Sequence, residues 1–224
     1  MSSKYYDIAF TSAVRDAQRE YGSWAAQRRL HHVEDGPARP DDPMGEAERT
    51  FIGEQDGFYL ATMSQSGWPY VQFRGGPRGF VTTPDAHTLA WPDFRGNRQY
   101  ITTGNLQDES RVAIIFLDYS RQVRLKVFGV AQVRDLMHDP DAARALELPG
   151  YPARIEREVR VHITAFDWNC PQHITPRYTT EELESAIAPL QQRLKELEQE
   201  NARLRRSSGQ MNAPVSARSG TREA

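Results

Sequence analysis

Between Phe58 and Phe166 the chain runs as short β-branched or aromatic segments separated by turn sequences, and this pattern limits the fold more than any other feature. The segments are Phe58 to Met63, Pro69 to Arg74, Gly79 to Thr83, Thr88 to Trp91, Arg111 to Asp118, Val123 to Val133 and Glu158 to Phe166. SQSG joins the first two and PDAH the third and fourth, and both are good hairpin turns. RVAIIFLD, from Arg111 to Asp118, has an unbroken apolar centre, which predicts a strand buried on both faces. From Val123 onward Leu125 and Val127 alternate with Arg124 and Lys126, the pattern of a half-buried strand. Short strands joined by tight turns pair antiparallel, so the expected class is mainly β (α+β), a small closed antiparallel β-barrel. The chain has no internal repeat.

Helical periodicity is confined to the flanks. Phe10, Val14, Ala17, Tyr21 and Trp24 form one stripe at three- and four-residue spacing, predicting a helix over roughly Tyr6 to Arg29. The Pro- and Asp-rich stretch HHVEDGPARPDDPMG reads as a loop, and a shorter helix follows from about Gly45 to Gln55. A small helix is expected around Asp139 to Leu148. Thr179 and Glu182 form a capping box, after which Leu183, Ile187, Leu190, Leu194, Leu197, Asn201 and Leu204 alternate steps of four and three. That is a heptad repeat with Leu at every d position and Asn201 at an a position, the signature of a parallel two-stranded coiled coil, although Pro189 interrupts the helical ladder. The alternative is an amphipathic helix packed on its own domain. The hydrophobic fraction of 38% is low because apolar residues concentrate between Phe51 and Trp168. The expected organisation is N-terminal helices and loop over 1–50, a barrel domain over 51–176, a C-terminal helix over 177–206 and a disordered tail over 207–224.

Charge and composition exclude several classes. With 28 Lys+Arg against 30 Asp+Glu there is no basic excess to displace counterions, so neither a nucleic acid nor an anionic membrane is an expected partner. Apolar runs such as Val112 to Leu117 fall far short of the roughly 20 residues that span a bilayer. MSSKYYDIAF lacks the apolar core of a signal peptide, and a cytoplasmic location is expected. A single cysteine, Cys170, excludes an internal disulfide and a multi-cysteine metal site. His31 and His32 are adjacent rather than a helical turn apart, and no acidic orienter accompanies Cys170, His162 and His173, so no metal site is expected. No phosphate-binding P-loop, nucleophile elbow or dinucleotide fingerprint occurs.

Three strings carry chemistry. In WPYVQFRGGPRGF, paired glycines and a proline flanked by Arg74 and Arg78 suit either a plain hairpin turn or an anion-holding one. In WPDFRGNRQYITTGNL, Trp91 ends a strand, and Asp93, Arg95, Asn97 and Arg98 crowd a turn that leads into a helix at Gln99. Such an entrance brings unpaired N–H groups and a guanidinium onto one phosphate. In RLKVFG, Arg124, Lys126 and Phe128 share one strand face, opposite Leu125 and Val127.

Taken in order, FYLATMSQSGWPYV, FRGGPRGF, GNRQY with GNL, RVAIIF and RLKVFG resemble the pyridoxamine 5′-phosphate oxidase-like flavoproteins, the FMN-binding split barrel. The resemblance implies a split barrel, FMN as cofactor, and a homodimer with the flavin at the subunit interface. It places Gln72, Phe73, Arg74 and Gly75 along the flavin, and Trp91, Asp93, Asn97, Arg98 and Gln99 around ribityl and phosphate, with Arg98 the main phosphate ligand. Arg124 and Lys126 would approach from the long strand, and Trp168 or Gln172 would close the site. True pyridoxamine phosphate oxidases carry an arginine where Gln72 aligns and a substrate-contacting lysine where Pro77 aligns. The implied function is therefore an FMN-dependent oxidoreductase for a small organic substrate rather than for the vitamin B6 phosphate. The alternative is a non-catalytic redox sensor or carrier module that binds flavin or a tetrapyrrole.

Overall fold

The computed structural model describes residues 4–31, 39–169 and 171–211, with side chains of residues 207–211 excepted. The chain divides after Pro176 into two units.

The first unit is built on one seven-stranded antiparallel sheet, so the class is mainly β. Its strands are β1 (Gly57–Met63), β2 (Pro69–Gly75), β3 (Thr82–Asp85), β4 (Thr88–Phe94), β5 (Arg111–Asp118), β6 (Val123–Asp135) and β7 (Ile155–Asn169), in the order β2-β1-β5-β6-β7-β4-β3. The sheet is not hydrogen-bonded shut, because no ladder joins β2 to β3. It is nonetheless strongly curled. Phe58 on β1 meets Trp91 on β4 edge to face at 5.0 Å, although three strands separate β1 from β4 in the sheet. Phe80 and Phe116 complete this aromatic centre, with ring centroids 5.9 and 5.2 Å from Phe58. The barrel expected from the strand pattern is therefore a split one, its gap lying between the β2 edge and the β3–β4 edge.

Residue alternation fixes which face turns inward. Leu60, Ile114, Leu125, Val127, Val161 and Ile163 are buried in the concave core. The expectation that β5 is covered on both faces fails, since Ile115 on its outer face is 40% exposed. Tyr59, Val71 and Phe73 are exposed on the same outer face, with Tyr59 paired in register with both Phe73 and Ile115. Instead β4 is the strand buried on both sides, from Leu89 to Asp93.

Three short helices replace the single N-terminal helix expected from the apolar stripe: α1 (Lys4–Ala9), α2 (Ser12–Glu20) and α3 (Trp24–Leu30). Thr11 starts a new helix by accepting from the Val14 N–H, and Gly22 adopts φ +76°, a conformation open to glycine at little cost. Tyr21, counted in the stripe, is 82% exposed. Helix α1 covers the outer face of β6 and β7: Tyr5 stacks on Phe128 at 4.7 Å, and Tyr6 Oη donates to Asp167 at 2.5 Å. Helix α4 (Glu46–Gly53) buries Phe51 and Ile52, α5 (Ile101–Asp108) buries Thr102 and Asn105, and α6 (Pro140–Arg144) is a single turn begun by the Asp139 cap.

The second unit is one helix, α7 (Thr180–Met211). Its capping box is formed: the Glu182 N–H donates to Thr179 Oγ1 at 3.1 Å, and the Thr179 N–H to Glu182 Oε2 at 2.8 Å. Pro189 lies inside the helix, which runs five residues beyond the point where the polar tail was expected to begin. Residues 212–224 lie outside the described residues. Among the described residues no helix is long and apolar enough to cross a membrane.

Candidate functional site

The gap in the curled sheet is where charge collects. Tyr70, Gln72 and Arg74 lie on the side of β2 that follows the buried Leu60 and Phe58 of β1, and they face Asp93 at the end of β4. The two edges are tied there: Arg74 Nη1 donates to Asp93 Oδ1 at 2.8 Å, and Arg157 Nε on β7 donates to Asp93 Oδ2 at 2.7 Å. Asp93 is only 4% exposed, so its charge depends on these two guanidiniums. Burial alone would lower the Arg157 pKa, but hydrogen bonding and proximity to Asp93, with Glu156 adding to them, outweigh it and raise the pKa, so the group stays charged.

A second carboxylate extends the network. Glu156 accepts from Arg157 Nη2 at 3.0 Å, lies 3.5 Å from Arg95 Nε, and accepts from Tyr100 Oη at 3.2 Å. Tyr100 in turn accepts from Arg98 Nε at 3.2 Å, and its ring lies 4.8 Å from the Arg157 guanidinium. Arg98 is thereby held at the mouth of the site. Its pKa is raised chiefly by the hydrogen bond to Tyr100, with the Glu156 carboxylate adding to it.

The turn between β4 and α5 is strained. Arg98 and Tyr100 adopt φ of 63° and 54°, left-handed values that side chains other than glycine rarely take. Asn97 Oδ1 steadies the turn by accepting from the Gln99 N–H at 3.2 Å. Backbone alternating in this way turns successive N–H groups toward one side, the arrangement that cradles anions. Behind it α5 is pinned to the sheet: Thr102 Oγ1 donates to Gln72 Oε1 at 2.9 Å, and Asn105 Nδ2 donates to Thr62 Oγ1 at 3.0 Å.

These groups line a cavity of about 190 Å³. Three guanidiniums that line it (Arg74, Arg98, Arg157) stand against two carboxylates (Asp93, Glu156), which leaves one positive charge, and Arg95 pairs with Glu156 from outside the lining. Arg74 Nε is buried without a hydrogen-bond partner, one more donor for a ligand to satisfy.

Of the residues expected in the site, Gln72, Arg74, Asp93, Asn97, Arg98 and Gln99 do line this cavity. The others lie elsewhere in the chain. Phe73 points to the outer face, 56% exposed, with its ring 5.4 Å from Tyr59. That ring also covers Gly75 and Gly57, where an added Cβ would come within 2.9 and 2.2 Å of it. Trp91 is buried in the aromatic core. Arg124 and Lys126 project from the outer face of β6, opposite the buried Leu125 and Val127. Lys126 pairs there with Asp167 at 2.8 Å and lies 4.6 Å from the Tyr5 ring. Trp168 donates to Glu48 at 2.7 Å beside a different groove, and Gln172 is exposed in a turn. Gly75, Gly76 and Pro77 of the RGGP turn do not line the cavity either. Gly76 is required there because a Cβ would come within 2.6 Å of the Phe80 ring. Arg157, Glu156, Tyr100 and Tyr70 were missed by the sequence reading. Cys170 lies outside the described residues, among which no group of three or more His, Cys, Asp or Glu could hold a metal.

A family model described as pyridoxamine 5′-phosphate oxidase matches residues 44–162, just over half of the chain. No curated protein sequence matches it. Among solved structures the chain is similar to the HupZ protein of Group A Streptococcus, at 16% identity and TM-score 0.45 over 60% of this chain and 99% of that one. It is similar to an FMN-binding protein from Syntrophomonas wolfei, at 12% identity and TM-score 0.44 over 69% and 96%. It is also similar to a Clostridium acetobutylicum protein related to general stress protein 26, at 10% identity and TM-score 0.41 over 61% and 94%.

Proposed function

The chain belongs to the pyridoxamine 5′-phosphate oxidase family, and from that premise we propose that it binds FMN, with the phosphate and ribityl chain in the cavity between β2, β4 and α5. The observation that carries this reading is the convergence on one small space of a net positive lining, a left-handed turn and an unsatisfied Arg74 Nε. Arg98 is the principal phosphate ligand, and the Gln72 amide, anchored through its carbonyl by Thr102, offers N–H donors to a bound acceptor.

A space of about 190 Å³ suits a phosphate and part of its chain, whereas pockets that enclose whole ligands run to about 300 Å³ or more. The flavin ring then extends beyond the cavity, and a second copy of the chain supplies its remaining wall. The exposed apolar outer face of β2, β1 and β5 (Val71, Phe73, Tyr59 and Ile115) is the surface through which two copies associate. When bound, the flavin supplies the hydride and electron chemistry, and the protein sets its position and electrostatics. The activity proposed is FMN-dependent oxidation or reduction of a small organic substrate. The vitamin B6 phosphate is not that substrate, because Gln72 and Pro77 stand where the family's true oxidases carry arginine and lysine.

The test is titration of the purified full chain with FMN, followed by flavin fluorescence. Arg98→Ala removes a charge-assisted hydrogen bond worth about 1.5–3 kcal/mol, so affinity should fall by roughly 10- to 150-fold. Unchanged affinity would overturn the phosphate assignment. Anaerobic reduction of the bound flavin by NAD(P)H or a substrate panel then tests turnover.

A further inference from the structure

Helix α7 forms a unit of its own, and its apolar residues lie in a seam rather than a core. Leu183, Ile187, Leu190, Leu194 and Leu197 are each between 43 and 69% exposed. With Ile187 at position a, the a positions are Ile187, Leu194 and Asn201, and the d positions are Leu183, Leu190, Leu197 and Leu204. Pro189 then falls at c, on the side away from the seam, so the missing N–H of its ring does not interrupt the apolar line. From Leu190 to Met211 the helix is about 33 Å long at 1.5 Å per residue.

We propose that α7 pairs with α7 of a second copy as a parallel, in-register two-stranded coiled coil, which goes beyond the cofactor reading and does not depend on it. Two observations select this occupant and this orientation. The first is Asn201. In a parallel pair the a positions meet each other, so Asn201 faces Asn201 of the second copy and the two amides satisfy one another. In an antiparallel pair a meets d, and every d position here is leucine, which leaves the amide buried against hydrocarbon. A slip by one heptad in the parallel pair fails for the same reason, because it sets Asn201 against Leu194.

The second is charge. Arg193 and Glu200 occupy g, and Glu198 and Arg205 occupy e of the following heptads. In the parallel register Arg193 meets Glu198 of the second copy and Glu200 meets Arg205, each interaction occurring twice by symmetry. Within the chain Arg193 leans on Glu196 at 3.2 Å, an exposed pair weak enough to exchange for the interchain one.

The experiment uses the full chain with Cys170→Ser and one added cysteine. Leu194→Cys puts the thiol at a, in the seam, and leaves Asn201 in place, and Gln199→Cys puts it at f, facing outward. Under mild oxidation the seam variant should form a covalent dimer at least tenfold faster than the outward one, read on a non-reducing gel. Equal rates would overturn the pairing. Adding Arg193→Glu to the seam variant sets like charges against each other and should slow the reaction several-fold, and Glu198→Arg on top should restore it. Cross-linking indifferent to both changes would overturn the register. Neither measurement involves flavin, so failure here is distinguishable from failure of the cofactor assignment.

Discussion

Asp93 ties together the two sides of the open sheet, and Asp93→Asn tests that role directly. The wild-type carboxylate is 4% exposed and holds Arg74 at 2.8 Å through one oxygen and Arg157 at 2.7 Å through the other. Removing one member of a buried ion pair costs about 3–5 kcal/mol, because the remaining charges stay desolvated without compensation. Asparagine keeps one carbonyl acceptor, so the lower end, about 3 kcal/mol, is expected. For a domain of this size that corresponds to a fall in Tm of about 6–12 °C. All four tryptophans (Trp24, Trp68, Trp91 and Trp168) lie in the first unit, so urea unfolding followed by tryptophan fluorescence reports that unit without the C-terminal helix. The substitution also raises the excess charge of the cavity lining from one to two. Added inorganic phosphate should therefore recover more stability in the variant than in the wild type, by mass action on the folded state. A loss below about 0.5 kcal/mol, or a smaller phosphate effect in the variant, would refute the reasoning.

Three further outcomes are expected. Tyr100→Phe keeps the ring beside Arg157 but removes the hydroxyl that positions Arg98, a loss of about 1 kcal/mol that should weaken FMN binding roughly fivefold in the same fluorescence titration. His31 stacks on Tyr6 at 3.7 Å, and burial, partly opposed by Asp167 and reinforced by Lys126, holds its pKa below the usual 6.5. The unfolded chain thus takes up this proton first, so stability is fully present above pH 6.5 and falls as pH drops below it; in urea unfolding at pH 7.5 and 5.5, His31→Phe should show a smaller loss than wild type. Gly57→Ala drives a methyl to within 2.2 Å of the Phe73 ring, and the displaced ring should cost about 1–3 kcal/mol in the same unfolding assay.

Strand positions were legible because alternation and turn chemistry act locally. Arg111–Asp118 was read with both ends correct, and the Val123 start of β6 likewise. What covers a strand is not local. The apolar centre of β5 implied cover on both faces, yet that cover is a property of neighbouring layers, and Ile115 is left 40% exposed among the described residues. Strand β4, expected to end at Trp91, continues through Pro92 to Phe94. Its register to β3 stops at Ala90, so at Pro92 no β3 partner requires an N–H. The same limit governed the site. Arg98 was readable from a turn entering a helix. Arg124 and Lys126 were correctly placed opposite Leu125 and Val127, but curling of the sheet turns that face outward. Glu156 and Arg157 precede the apolar alternation that marked the last strand from Glu158, and only pairing across β4 brings them, buried, to the side of Asp93.

Strand β2 joins these lines of argument. It is an edge strand with an inverted pattern: Tyr70, Gln72 and Arg74 turn inward toward charge, while Val71 and Phe73 turn outward with 60 and 56% of their surface exposed. A strand facing only water on its outer side would carry the opposite pattern, and bare apolar edges invite pairing with other chains. Register makes the two sides inseparable, since Phe73 faces Tyr59 only when Gln72 faces Leu60, and a one-residue slip would exchange every side chain between the faces. Covering Val71 and Phe73 with a second copy would hold this register and with it the position of Arg74 beside Asp93. Ordering of the anion site by a ligand would in turn favour the surface that the second copy meets. Self-association and FMN binding, as proposed, are therefore coupled through one strand, each raising the affinity of the other by the same factor.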